Sequence, residues 1–269
     1  MDKYCLTIIL GLLFSCNHQE KVLYEELTPK EFSERLENCP VAYLPLGTLE
    51  WHGEHLPLGS DGLQPLGFFK RLASEAGGIV LPMIFLGPDF YDPGYDSESN
   101  GTKYYGMDYF SYPLPSNRYE PHKLTGSAYW VSDSIFHSIV NSIMDQLSRA
   151  GFKIVVAHGH GPSTDFIENH AKELMDNFKL RVITCRGNDS ADFCFQCDHA
   201  AANETSLMMA LRPDLVDMEN LPQDTMIWPL GIGGKDPRIH ASRNAGKKII
   251  EYGIEKMKKR IQSELLKIN

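Results

Sequence analysis

Between Ser132 and Thr184 the chain reads helix, strand, helix, strand, and this order leaves few folds open. Ile135, Phe136, Ile139, Val140, Ile143, Met144 and Leu147 recur at helical spacing before Gly151 closes the helix. Lys153-Ile154-Val155-Val156-Ala157 reads as a buried strand, His158-Gly159-His160-Gly161-Pro162 as a loop, the segment to about Phe178 as a helix, and Leu180 to Thr184 as the next strand. Strand, helix and strand of these lengths make a βαβ unit, whose parallel strands need helices over both faces. The expected fold is therefore α/β, three-layer α/β/α with a mainly parallel central sheet. Ligands of such folds bind at the carboxyl ends of the strands, where the His-Gly-His-Gly loop stands.

Earlier segments fit the same architecture. Thr28 can cap a helix with Pro29 in its first position and Glu31 completing a capping box, and that helix runs to about Asn38. Val41 to Leu46 is a mostly apolar strand, Gln64 to Ala76 a helix, and Ile79 to Met83 a short strand ended by Pro82 and the following loop. Residues from about 199 to 211 and 240 to 267 read as helices. Residues 87 to 128 differ: Asp-Pro, Pro-Gly and Asn-Gly punctuation is mixed with seven tyrosines from Tyr91 to Tyr119. So long a segment is an insertion that either packs on a surface or covers a substrate. With 42% hydrophobic and 23% charged residues the 269-residue chain has the composition of a globular protein, and 22–269 is expected to form one domain.

The amino terminus has another texture. Lys3, an apolar run from Tyr4 to Phe14, and Ser15-Cys16 before a polar stretch read as a signal peptide over 1–15. The run is too short for a membrane span, which needs about 20 residues. Its ending resembles a bacterial lipoprotein cleavage box, with lipidation at Cys16, so the expected location is the cell envelope, periplasmic or surface, with a lipid as the only membrane contact. In that oxidising compartment Cys39, Cys185, Cys194 and Cys197 are possible disulfide partners, and the sequence does not fix their pairing. Against 26 Lys and Arg stand 35 Asp and Glu, a net charge of −9 without a basic block, which argues against a nucleic-acid partner.

Chemistry concentrates in a few loops. Gly47-Thr48-Leu49-Glu50-Trp51-His52-Gly53-Glu54-His55-Leu56-Pro57-Leu58-Gly59-Ser60-Asp61 follows a strand end and carries carboxylates beside imidazoles. Glu50 and His52, alternate residues, point to one side if the segment is extended, and such donors suit zinc, manganese or iron. His160 adds an imidazole, and Asp198-His199 with Glu204 adds further ionisable groups near another βα junction. Cys194-Phe195-Gln196-Cys197 has no second cysteine pair beside it and reads as structural.

Taken together, these motifs resemble the creatininase family of metal-dependent amidohydrolases. Residues 47–61 are similar to the family's Gly-Ser-x-Glu-x-His-Gly-x-His-Leu-Pro-x-x-x-Asp stretch with Thr48 for Ser; 158–163 resemble its Asn-Gly-His-Gly-Gly-Asn loop, and 199–206 its His-Ala-Gly-x-x-Glu-Thr-Ser segment. The resemblance implies a creatininase-like fold and a ring-like homo-oligomer. It also implies two divalent metal ions (Zn and/or Mn, or Fe), with Asp61 bridging, Glu50 and His160 completing one site and His52 the other. Glu204 is the candidate for the remaining ligand, because Pro162 stands where creatininase has a ligating glutamate. Asp198 and His199 match the catalytic pair, serving as general base and acid. His55, Gly126, Ser127 and Phe195 match substrate-side positions, and His55 reads equally as a hydrogen-bonded loop histidine.

Two metals about 3.5–4 Å apart can polarise an amide carbonyl and lower the pKa of a bridging water, so the implied activity is hydrolysis of a C–N bond in a cyclic amide, formamide or small peptide-like substrate. His158, Pro162, Ser163 and Phe195 depart from creatininase and argue against creatinine itself. The alternative is a metal-containing lipoprotein that binds a small ligand without turnover.

Overall fold

The computed structural model describes residues 21–88, 131–187 and 194–268. The expected signal peptide, Cys16, nearly all of the 87–128 insertion, and Gly126 and Ser127 lie outside these residues. In chain order the elements are α1 (Pro29–Asn38), β1 (Val41–Leu46), α2 (Ser60–Ala76), β2 (Ile79–Val80), α3 (Asp133–Ala150), β3 (Ile154–Gly159), α4 (Gly161–Phe178), β4 (Arg181–Ile183), α5 (Ala202–Leu211), the single turn α6 (Pro237–His240) and α7 (Arg243–Ile268). The capping box at Thr28 forms as its sequence dictates: Thr28 N–H donates to Glu31 Oε2 at 2.7 Å, and Pro29 opens α1.

The four described strands form one parallel sheet in the order β2-β1-β3-β4. Alternation along each strand decides the layers. Val41, Tyr43, Ile154 and Val156 point to the side packed by Phe68, Phe69 and Leu72 of α2 and Ile250, Ile254 and Met257 of α7. Ala42, Leu44, Val155 and Ala157 point to the opposite side, packed by Phe136, Val140 and Met144 of α3 and Phe166, Ile167 and Leu174 of α4. Helices therefore cover both faces, and the three-layer α/β/α expectation holds. Within the first layer α7 crosses α5 so closely that a Cβ on Gly246 would collide with the Ser206 carbonyl oxygen.

From β1 the chain returns through α2 to β2 on one side, whereas β3 returns through α4 to β4 on the other. The direction of winding reverses between β1 and β3, and a crevice opens where their carboxyl ends part. Several boundaries differ from the sequence reading: β3 runs on through His158 and Gly159, which the sequence places in a loop, so that only His160 separates it from α4, and α5 begins at Ala202 and not near 199. β2 is only Ile79–Val80, because Pro82 lacks the N–H that would extend the ladder. α2 starts at Ser60, not Gln64, and so carries Pro65 inside it, where the missing N–H leaves the Asp61 carbonyl without its helical partner. Among the described residues Cys39, Cys185, Cys194 and Cys197 form no disulfide.

Candidate metal centre

The crevice is furnished by chain segments that leave β1 and β3. At the end of β3, Gly159 has φ of 149° and faces the Leu46 carbonyl so closely that any Cβ would clash with it. His160 N–H then donates to that carbonyl at 3.0 Å, which fixes His160 over the end of β1. On the β1 side the 47–59 loop folds back, Glu50 N–H donating to Leu58 O at 2.9 Å, so that Glu50 and Asp61 approach each other.

Asp61 lies at the middle of the cluster. Its Oδ2 is 2.9 Å from His160 Nδ1 and its Oδ1 is 3.3 Å from His52 Nε2. Glu50 Oε2 is 3.2 Å from the same His160 nitrogen, and Glu204 Oε2 is 3.4 Å from the same His52 nitrogen. His52 Nδ1–H donates to the Glu50 carbonyl at 3.2 Å, so this histidine presents Nε2 to the carboxylates. Glu50, His52, Asp61, His160 and Glu204, chosen from separated motifs, are thus brought together and are all buried.

Asp61 is held by a device that sequence reasoning missed. Pro65 has no N–H for the carbonyl of Asp61 four residues earlier. Gln196 fills the gap, its Nε2 donating to Asp61 O at 3.2 Å and to Asp61 Oδ1 at 2.9 Å. The available signal was a polar residue inside the Cys194–Cys197 motif, next to Asp198.

The last segment enters through α5. Asp198 accepts the N–H groups of Asn203 at 2.7 Å and Glu204 at 3.1 Å, capping α5 and aiming Glu204 inward. His199 donates Nε2–H to the Trp51 carbonyl at 2.9 Å, and its Nδ1 lies 4.0 Å from Glu50 Oε1. His55 points elsewhere: its Nε2 meets Thr205 Oγ1 at 2.8 Å, tying the 47–59 loop to α5. Phe195 packs against Phe68, the rings tilted by 36° with centroids 4.4 Å apart, and also lines a cavity of about 510 Å³. The wall of that cavity includes Glu50, Asp61, His160, Asp198, His199 and Glu204.

Three buried carboxylates in contact repel one another unless something neutralises them. Burial pushes Glu50 up to about 7 and Glu204 well above the carboxylate range. Burial also acts to raise Asp61, but His52 and His160 outweigh it and hold Asp61 well below its usual value. His52 is carried up to about 10 against its own burial by Asp61, Glu204 and Glu50, and His160 is raised by Asp61 and Glu50. Protons on the two imidazoles therefore supply the positive charge the carboxylates need. A divalent cation can supply the same charge and release those protons. The donors fit one: Glu50-Asp61-His160, His52-Asp61-Glu204 and Glu50-His52-His199 each place one ligand atom per residue within 4.8 Å of the others. These oxygen and imidazole donors suit zinc, manganese or iron.

A parallel three-layer sheet carrying a buried carboxylate–imidazole cluster at its switch point defines a class of α/β protein with a metal-capable centre. Within that class the chain belongs to the creatininase family, whose profile, described as creatinine amidohydrolase, matches residues 25–96 and 116–260. The chain is similar to the creatinine amidohydrolase of Pseudomonas putida, 28% identical over 224 residues covering 75% of this chain and 76% of that protein. It is also similar to the 3-dehydro-scyllo-inosose hydrolase of Thermotoga maritima, 23% identical over 217 residues covering 74% of this chain but only 58% of that one. A crystal structure of creatinine amidohydrolase superposes with a TM-score of 0.64 at 25% identity, covering 90% of this chain and 97% of the other. A manganese creatininase superposes at 0.62 and 26% identity, covering 90% and 98%, and another solved creatininase is a Zn-Zn type.

Proposed function

We propose that this protein is a hydrolase with two divalent cations in one buried centre, cleaving a C–N bond in a cyclic amide, a formamide or a small peptide-like substrate. The observation that carries the reading is the two-sided setting of Asp61, which meets His160 through Oδ2 and His52 through Oδ1. Glu50 and His160 would hold one ion, His52 and Glu204 the other, and Asp61 both. Ions bound there would polarise a substrate carbonyl and acidify water.

The remaining residues divide the other tasks. Burial pushes His199 down to about 3, so its imidazole is neutral at pH 7 and can take a proton at Nδ1 for delivery to a leaving nitrogen. The Trp51 carbonyl holds the other nitrogen protonated and keeps the ring in place. Asp198 accepts two α5 backbone N–H groups and so positions Glu204, and its remaining lone pairs leave it available, with His199, for the general base and acid roles. A cavity of about 510 Å³ suits a small substrate. His158, Pro162, Ser163 and Phe195 point away from creatinine, and a relative named for another substrate supports a different specificity in this chain.

Elemental analysis of the soluble body after Cys16, beside Asp61→Ala and Asp61→Asn variants, tests the centre. Two metal equivalents falling to near none, together with loss of amide hydrolysis, is the expected result. No metal in the wild type after reconstitution with zinc or manganese would overturn the reading. Tight ligand binding without turnover in the doubly loaded protein would instead favour a binding lipoprotein. We also place the chain in the cell envelope, anchored through Cys16, on the strength of Lys3, the Tyr4–Phe14 run and Ser15-Cys16. No helix among the described residues is long and apolar enough to cross a membrane. Loss of lipid labelling in Cys16→Ala tests the anchor, and sedimentation tests the homo-oligomer that the family resemblance implies.

A further inference from the structure

A second cluster of metal-type donors lies apart from the crevice, on the outer side of the α3–α4 layer. His170 and Glu173 are three residues apart on α4 and so share one face of it. His137 reaches them from α3, its Nε2 3.0 Å from Glu173 Oε1 and its ring centroid 5.4 Å from that of His170. One donor atom from each of His137, His170 and Glu173 lies within 4.8 Å of the others. About ten residues of α4, roughly 15 Å along the helix axis, separate His170 from His160, so the two groups do not share a ligand.

Two features make this arrangement more than a surface ion pair. His170 Nδ1–H donates to the Phe166 carbonyl at 2.9 Å, and its ring stacks on Phe166 with centroids 4.0 Å apart. That bond fixes the tautomer with the lone pair on Nε2, in the way metal-ligating histidines are commonly oriented by an outer hydrogen bond. On the other helix Asn141 Nδ2 donates to the His137 carbonyl at 2.8 Å and lies 3.1 Å from His137 Nδ1, bracing that ring. The side chains of His137 and Glu173 are 37% and 43% exposed, so an ion can enter from solvent and keep a water as its fourth ligand.

We propose that His137, His170 and Glu173 form a transition-metal site that takes Zn²⁺ or Cu²⁺ and clamps α3 to α4. Two imidazoles and one carboxylate are borderline donors that suit these ions and not Mg²⁺ or Ca²⁺. Because the helices come from separate stretches of chain, the bound ion adds a cross-link between them.

The test counts zinc by elemental analysis after equilibrium dialysis of the wild type, His170→Ala and Glu173→Gln against the same free Zn²⁺ concentration. Because the difference between proteins is read, the buried centre cancels whatever it holds. One equivalent of zinc fewer in each variant, and one equivalent of Cu²⁺ fewer in His170→Ala under the same dialysis, is expected. Equal zinc counts in wild type and variants would overturn the site. Circular dichroism checks each fold, and His137→Gln replaces any variant that fails to fold, so the comparison always rests on folded proteins.

Discussion

At the scale of single residues, the centre depends on side chains that hold donors as much as on the donors themselves. Gln196 repairs the carbonyl that Pro65 leaves without a helical partner and in the same contact fixes Asp61. Gln196→Ala is expected to weaken metal affinity by about 10–100-fold, the usual cost of losing an outer hydrogen-bond partner, with little change in secondary structure. Competition with a chelator would measure it, and unchanged affinity would remove Gln196 from the design. Asp198→Asn retains one acceptor oxygen for the α5 backbone and is expected to keep most of the metal. His199→Ala is expected to retain the metal yet lose about 10²–10⁴-fold in kcat. Carboxylates and imidazoles near strand ends were legible in the sequence as metal-type donors, and their grouping into one ligand set came from the family resemblance. Gln196 was not legible, since a polar residue between two cysteines does not show what it bonds until its distance to Asp61 is known. Nor was the tie from His55 to Thr205, which only the packing of α5 against the 47–59 loop creates.

Among elements, local chemistry set some boundaries and tertiary context set others. The α1 capping box is readable from Thr28, Pro29 and Glu31 alone, and Thr28→Ala is expected to destabilise the fold by about 1 kcal/mol at pH 7. The Glu31 carboxylate is drawn from its ordinary 4.5 to about 2, first by the Thr28 backbone N–H and then by Lys21. A depressed folded value means stability fully present above pH 4.5 and lost as pH falls through about 2. The difference in denaturant midpoint between wild type and Glu31→Gln should therefore shrink over that window. A gap that stays constant with pH would show that the carboxylate charge plays no part. β2 and the start of α2 were less legible: periodicity shows where apolar residues recur, but Pro65 and Pro82 act through which N–H groups the neighbouring backbone needs. Gly159 belongs to the same class, since its requirement comes from a carbonyl on β1 more than a hundred residues away.

For the molecule as a whole, the sheet separates two apolar layers of similar kind but unequal bearing on the crevice. Phe136 packs between α3 and the sheet, whereas Phe68 touches Phe195, which lines the cavity. Phe136→Ala and Phe68→Ala are each expected to destabilise by about 3–5 kcal/mol. Only Phe68→Ala should also weaken metal affinity, because it loosens the segment that carries Gln196 and Asp198. Parallel denaturation and metal titrations of the two variants check this, and equal effects on affinity would refute it. The three-layer architecture was legible from the βαβ spacing. The winding reversal between β1 and β3 was not, since spacing alone does not say which strands become neighbours. That reversal brings Glu50 beside His160, and α5 sets Glu204 beside His52, so the donors span more than half the chain. No stretch leaving a ribosome or a membrane pore holds the finished centre until the α5 segment has joined β1 and β3. On the proposed reading, the cation taken up by this centre would be set by the compartment in which the chain completes folding, and a chain exported unfolded would meet the metals outside the cytoplasm first.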